Sequence, residues 1–285
     1  MLKLLRFSAL AVLSFSLTAS LNAVVAQTQK ASLSSIPKDR KIKVAMSSQP
    51  PYMMISPDGK VGGIVLDLEN EVLSRLGLQE IEPEVTAWSA MIPALQARRV
   101  DFVADLAPTV ERCKAVLFSA PIYAYRIALY VPAGNPKHLS GVAQLAQGQN
   151  IRIAMIQSSA PGAYAMKMGV DPSNVIAVPD VQAGVATVVG GRADVYLESN
   201  TAVNEPKKLG LEMIVDNQAP VFGASVAFRK EDVAFRNAFN EKRSELIRGK
   251  LVEKLYEKYG MTGGQDQAAT LATLSSASAI IPSCE

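Results

Sequence analysis

The sequence predicts an α/β protein of two lobes, and three observations carry that expectation. Strand-like and helix-like patterns alternate from Ile42 to Leu106 and again from Ile151 to Leu197. Between the two blocks lies Ala133-Gly134-Asn135-Pro136, which reads as a connector. The chain has 285 residues, 49% of them hydrophobic, which is enough for two cores and incompatible with intrinsic disorder. Strand–helix alternation implies parallel sheets covered by helices.

The elements follow in order. Lys3 and Arg6 precede an uncharged stretch from Phe7 to Val25, and Val24-Val25-Ala26 supplies small residues for a signal peptidase, so residues 1–26 read as a signal peptide cleaved after Ala26. Ser8, Ser14, Ser16, Thr18, Ser20 and Asn22 dilute the apolar run, and no basic stop-transfer follows, which argues against an anchor. The signal implies export of the mature chain. Residues 27–40 form a polar, Ser-rich leader. Ile42, Val44 and Met46 alternate as a first strand, and Ser47 to Gly63 is a loop with a turn at Pro57-Asp58-Gly59. Apolar positions 65, 68, 72, 73 and 76 mark a helix stopped by Gly77. Strands follow at 81–87 and 100–106, separated by a helix from Ser89 to Gln96. In the second block, strands at 151–156, 175–178 and 193–197 flank helices starting near Ala160 and Val181. A strand at 225–229 precedes a long helical run from Glu231 to Tyr259, broken near Gly249. From Thr262 the composition turns to Gly, Gln, Ala, Thr and Ser, and the tail is expected to lack order unless Cys284 ties it down.

Charge and special residues exclude several function classes. Without the first 26 residues the balance is 27 basic to 26 acidic, with no basic run, which leaves no electrostatic footprint for nucleic acid. His138 is the only histidine, flanked by Pro136-Lys137, so neither a zinc site nor a histidine-based nucleophile has its parts, and no metal or cofactor is expected. Cys113 and Cys284 stand in an exported chain, where a disulfide persists once formed; a separation of 171 residues leaves pairing and non-pairing both open.

In open α/β sheets, ligands bind beyond the carboxyl ends of parallel strands. That directs attention to Ser47–Tyr52, Trp88, Asp105–Arg112, Gln157–Ala160, Asp180 and Glu198–Thr201. Seven segments in this chain, in order, resemble the extracellular solute-binding proteins of ABC importers, in the family that carries polar amino acids. They are Gly63-Ile-Val-Leu-Asp67-Leu68, Trp88-Ser-Ala-Met-Ile-Pro93-Ala-Leu95, Asp101-Phe-Val-Ala, Thr109-Val-Glu-Arg112, Phe118-Ser-Ala-Pro121-Ile-Tyr123, Gly191-Arg-Ala-Asp194 and Ala227-Phe-Arg-Lys. Within that family, Ile81-Glu82-Pro-Glu-Val-Thr86, Glu111-Arg-Cys113-Lys114 and Thr201-Ala-Val-Asn204 are similar to the ectoine and hydroxyectoine branch.

The resemblance implies a periplasmic binding protein type II fold. Lobe 1 would comprise 41–132 and 224–261, lobe 2 would comprise 136–222, and 262–285 would form a tail. The chain would cross between lobes near 131–136 and 222–226, and the lobes would close on ligand about that hinge. It implies a monomeric receptor that hands a small solute to an inner-membrane permease with its ATPase.

The resemblance also assigns site residues. Arg112 ends the Thr-x-Glu-Arg motif and would pair with a ligand carboxylate, which suits a permanently charged, bidentate guanidinium; its plain alternative is a solvated partner of Glu111. Tyr52 and Trp88 would line the cleft as aromatic walls, or else pack as ordinary hydrophobes. Ser159 would offer a hydroxyl and helix N–H groups to a ligand oxygen, or simply cap its helix. Where the family places acceptors for an α-ammonium group, this chain has Ser47, Asp105 with Ala107, and Ser199. A standard α-amino acid is therefore a poor expectation. Asp105 and Glu198 would supply displaced carboxylates for a cationic group, making a small zwitterion or carboxylate the expected ligand. Two other readings stand beside the receptor. One is a periplasmic dehydratase acting on a cyclic acid, with Glu198 as general acid and Arg112 as anchor. The other is a sensory lobe acting in trans on a membrane kinase.

Overall fold

The computed structural model describes residues 38–56, 60–148, 150–156 and 159–284. The signal peptide, most of the leader, the turn at 57–59 and Ser158 lie outside the described residues.

Among the described residues, thirteen strands and nine helices are named in chain order: β1 Ile42–Met46, β2 Met54–Ile55, β3 Val61–Gly62, α1 Ile64–Arg75, β4 Ile81–Val85, α2 Met91–Gln96, β5 Phe102–Leu106, α3 Val110–Ala115, β6 Leu117–Phe118, β7 Tyr123–Tyr125 and β8 Ile127–Pro132. They continue with α4 Val142–Gln147, β9 Ile153–Ile156, α5 Ala160–Lys167, β10 Val175–Val178, α6 Val181–Val189, β11 Val195–Ser199, β12 Leu211–Val215, β13 Phe222–Phe228, α7 Val233–Arg248, α8 Leu251–Lys258 and α9 Gly264–Thr273.

Two sheets form. The first runs β4-β1-β5-β13-β6, with β7 also on β13, and the second runs β10-β9-β11-β8-β12. In each, three strands are parallel (β4, β1, β5 and β10, β9, β11) and the chain's crossing strands pair antiparallel. Near-continuous burial of β5, β9 and β13 fits sheets covered on both faces.

Here the structure departs from the division drawn at residue 132. β8 pairs with β11 (Tyr130 opposite Tyr196) and with β12 (Tyr130 opposite Met213), so it belongs to the second sheet. The first crossing is thus Arg126, between β7 and β8, and Ala133–Pro136 is a turn inside lobe 2. The partners of β8 are 66 to 87 residues away in sequence, and local alternation carries no information about them. The second crossing is the segment 216–221, ahead of β13. Asp216 rigidifies it: its carboxylate accepts from the N–H groups of Val142 at 2.9 Å, Gln218 at 2.9 Å and Ala219 at 3.1 Å.

The tail is built into lobe 1. Cys284 forms a disulfide with Cys113, and α9 buries Leu271 completely. Gln267 on α9 receives the Ala124 N–H and donates to the Ala124 carbonyl at 3.0 Å, in the manner of an added strand partner. Buried Arg243 donates to the carbonyls of Pro121 and Leu271, tying α7 to both β7's approach and α9. The long helical run breaks where expected, with Lys250 in the left-handed region (φ 61°) between α7 and α8.

Candidate ligand-binding cleft

The carboxyl ends of the parallel strands of both sheets converge on one cavity. Lobe 1 contributes Ser47, Ser48 and Gln49 after β1, Trp88 after β4, Asp105 and Ala107 at the end of β5, and Tyr123 and Tyr125 from β7. Lobe 2 contributes Ile156, Ser159, Asp180, Glu198 and Ser199. Of the residues expected at the site, Asp105, Trp88, Ser159 and Glu198 line it together.

Asp105 is 2% exposed and accepts from the Tyr123 hydroxyl at 2.9 Å. Burial pushes its pKa up to about 7, against the opposing effects of the Tyr123 hydrogen bond and the Arg112 charge. Across the cavity, Glu198 accepts the Ser199 N–H at 2.9 Å. Burial is again the main cause that raises it to about 7; the Ser199 hydrogen bond lowers it, Asp105 adds to the rise, and Arg112 opposes it. Two carboxylates from opposite lobes therefore feel each other and share one guanidinium.

That guanidinium is half-buried and held from lobe 1. Thr109 caps α3 by accepting the Arg112 N–H at 3.2 Å, and Arg112 Nη1 donates to the Ala107 carbonyl at 2.7 Å. Its centre stands 6.0 Å from the Trp88 ring centroid, at the limit of a cation–π contact. Arg112 stands behind the wall, holding Ala107 and facing Trp88, both of which do line the cavity. Burial lowers its pKa while Tyr125, Asp105 and Glu198 favour its charge; a guanidinium remains protonated at any working pH. The neighbouring Cys113 anchors α3 through the disulfide.

Trp88 packs against a hydrophobic cluster of each lobe, and its Nε1–H is buried with no acceptor among the described residues. Ser159 is 3% exposed, and its hydroxyl accepts the Gly162 N–H at 3.1 Å, capping α5. Asp180 caps α6 in the same way, accepting the Ala183 N–H at 2.8 Å.

Tyr52 is a correction. It is 1% exposed, its ring stacks on Tyr123 at 4.6 Å between centroids, and its hydroxyl lies 3.3 Å from that of Tyr256. It supports the cleft wall from behind instead of lining it. The loop after β1 turns back so that the Tyr52 carbonyl accepts from Val65 at the start of α1, which points the ring into the lobe core. Tyr123 and Tyr125 line the cavity together with Trp88, and they are site residues that the sequence analysis lacks. Their signal was present: Tyr123-Ala124-Tyr125 has a period of two, which puts both rings on one face of a strand.

The model of the bacterial extracellular solute-binding proteins, family 3, matches residues 42–262. The chain belongs to that family. Its relatives include a probable amino-acid ABC transporter periplasmic-binding protein of Sinorhizobium fredii, 29% identical over 77% of this chain and 76% of the relative. The histidine-binding periplasmic protein of Salmonella typhimurium is 25% identical over 85% of this chain and 96% of its own length. Among solved structures, EhuB in complex with hydroxyectoine superposes with a TM-score of 0.73 at 29% identity, covering 86% of this chain and 97% of that one. An ancestral amino acid-binding protein described as a precursor of cyclohexadienyl dehydratase matches in fold, with a TM-score of 0.70 at 23% identity. This family 3 protein is thus a type II solute-binding protein of the periplasmic class, with a small-molecule ligand and a membrane permease as its partners.

Proposed function

We propose that this protein is a monomeric receptor, released by cleavage after Ala26, that captures a small zwitterion of the ectoine type and delivers it to an ABC permease with its ATPase. The observation that carries the reading is the meeting of Asp105 from lobe 1 and Glu198 from lobe 2 in one cavity, with Arg112 and Trp88 beside them. Two buried carboxylates suit a delocalised cation, and Trp88 offers a π face to it. Arg112 suits the ligand carboxylate once the cavity is occupied, joined by the unpartnered Trp88 Nε1–H and by the N-terminus of α5 at Ser159. Closure follows because the cation is shared between lobes: ligand favours the closed form only through contacts better made there.

The test is a thermal-shift screen of refolded, ligand-free mature protein against ectoine, hydroxyectoine, betaines, amino acids and small organic acids, since ligand binding to the native state raises Tm. A shift with a cyclic zwitterion supports the reading, and silence toward every zwitterion rejects it. One observation favours a second reading. Glu198, held near pKa 7 in a buried cleft, is placed to act as a general acid on a cyclic carboxylic acid, the chemistry of a dehydratase. Conversion of a cyclic acid such as prephenate or arogenate, lost in Glu198→Gln, would establish it.

A further inference from the structure

A second cavity lies on the far side of the hinge. Its walls come from both lobes: Tyr52, Tyr256 and Gln267 from lobe 1, Asn200 and Asn204 from lobe 2, and the crossing residue Arg126. Tyr125 lines this cavity and the ligand cleft alike, so it forms part of the partition between them.

Arg126 gives the cavity its chemistry. The residue is half-buried, and its backbone is clamped to Asn200, whose side chain accepts the Arg126 N–H at 2.9 Å and whose own N–H donates to the Arg126 carbonyl at 2.8 Å. Its Nη1 donates to the Ala219 carbonyl, at the second crossing, at 3.1 Å. Among the described residues no carboxylate forms an ion pair with it, which leaves most of a guanidinium's five N–H donors unengaged by protein. The same cavity is lined by Asn204, Thr201 and Thr270 and by Tyr52, Tyr125 and Tyr256. The one acid in the wall is Asp266, exposed at the rim, which disfavours a second negative charge.

We propose that this cavity is a second binding site, for a small monocarboxylate held by Arg126. A planar guanidinium without an anionic partner, partly withdrawn from water and bordered by amides and aromatic rings, matches a carboxylate attached to a short apolar or polar body. Because Arg126 touches both crossings and the walls belong to both lobes, occupancy depends on the hinge angle. The site is therefore linked to closure of the ligand cleft, although it does not rest on the identity of the ligand there.

The test uses the mature protein carrying Arg112→Ala, which removes the carboxylate partner of the main cleft, titrated with acetate and with glycine against sodium chloride at matched ionic strength. Nitrogen-15 NMR would follow the Arg126 Nε–H and the side-chain amides of Asn200, Asn204 and Gln267. The expected result is saturable shifts of these signals with acetate or glycine but not with chloride, lost when Arg126→Gln is added and partly retained with Arg126→Lys. Absence of saturable shifts in the Arg112→Ala protein, a measurement that needs no Arg126 variant, would overturn the proposal. Equal shifts with chloride, or shifts that persist in a folded Arg126→Gln protein, would overturn it as well.

Discussion

The two walls of the cleft are made differently. Two of lobe 1's braces come from farther along the chain: the Tyr123 hydroxyl on Asp105, and the disulfide that ties α3, which carries Arg112, to the end of the chain; the Ala107 carbonyl holds the Arg112 guanidinium locally. Lobe 2 presents groups held only locally. Ser159 and Asp180 are occupied in capping their own helices, and among the described residues Glu198 bonds to the N–H of the next residue alone. The difference teaches a division of labour, in which lobe 1 is a preorganised half-site and lobe 2 a cover that adds one charge. Preorganisation lowers the ordering cost of binding, so most affinity belongs to lobe 1.

Substitutions in the two walls test that division. The largest effect is expected from Arg112→Ala: loss of a partly buried charge pair costs about 2–5 kcal/mol, so calorimetric affinity for a carboxylate-bearing ligand should fall at least thirtyfold. Unchanged affinity would remove the anchor from lobe 1. Next comes Cys284→Ser, which frees the tail from α3. Loss of a native disulfide costs about 2–5 kcal/mol, read as a lower Tm with binding weakened in proportion to the loosening of α3. A lowered Tm with intact affinity would show that Arg112 does not depend on that tether. Glu198→Gln should cost less than Arg112→Ala, about tenfold in affinity, because it removes one of two carboxylates and leaves lobe 1 intact. The smallest effect is expected from Ser159→Ala, about 1 kcal/mol of stability for a lost helix cap. A large loss of affinity from that change would mean that lobe 2 contributes more than a cover.

The sequence disclosed the parts whose logic is local. Asp105, Trp88, Ser159 and Glu198 could be found because strand ends in an alternating α/β pattern mark a cleft. Tyr52 misled because an aromatic residue after a strand reads the same whether it faces the ligand or the core, and its stacking partner, Tyr123, is 71 residues away. The first crossing was misplaced for a related reason: β8 is an apolar strand in either sheet, and only its distant partners assign it to the second. The tail's small polar residues gave no hint of a packed helix, since its order comes from Gln267, Arg243 and the disulfide, all tertiary.

Proton linkage reports whether a cation sits between the two carboxylates of the cleft. Asp105 and Glu198 both stand near pKa 7 in the unliganded cleft, raised mainly by burial. A cation seated between Asp105 and Glu198 favours their ionised forms, so binding releases protons near neutral pH and tightens as pH rises through 7. A lone anion at Arg112 would do the reverse, raising both pKa values and taking protons up. Calorimetry of hydroxyectoine binding at pH 7, in two buffers of different ionisation heat, reads the sign. The account predicts net proton release, reduced in Glu198→Gln. Proton uptake, or binding confined to simple carboxylates, would contradict it.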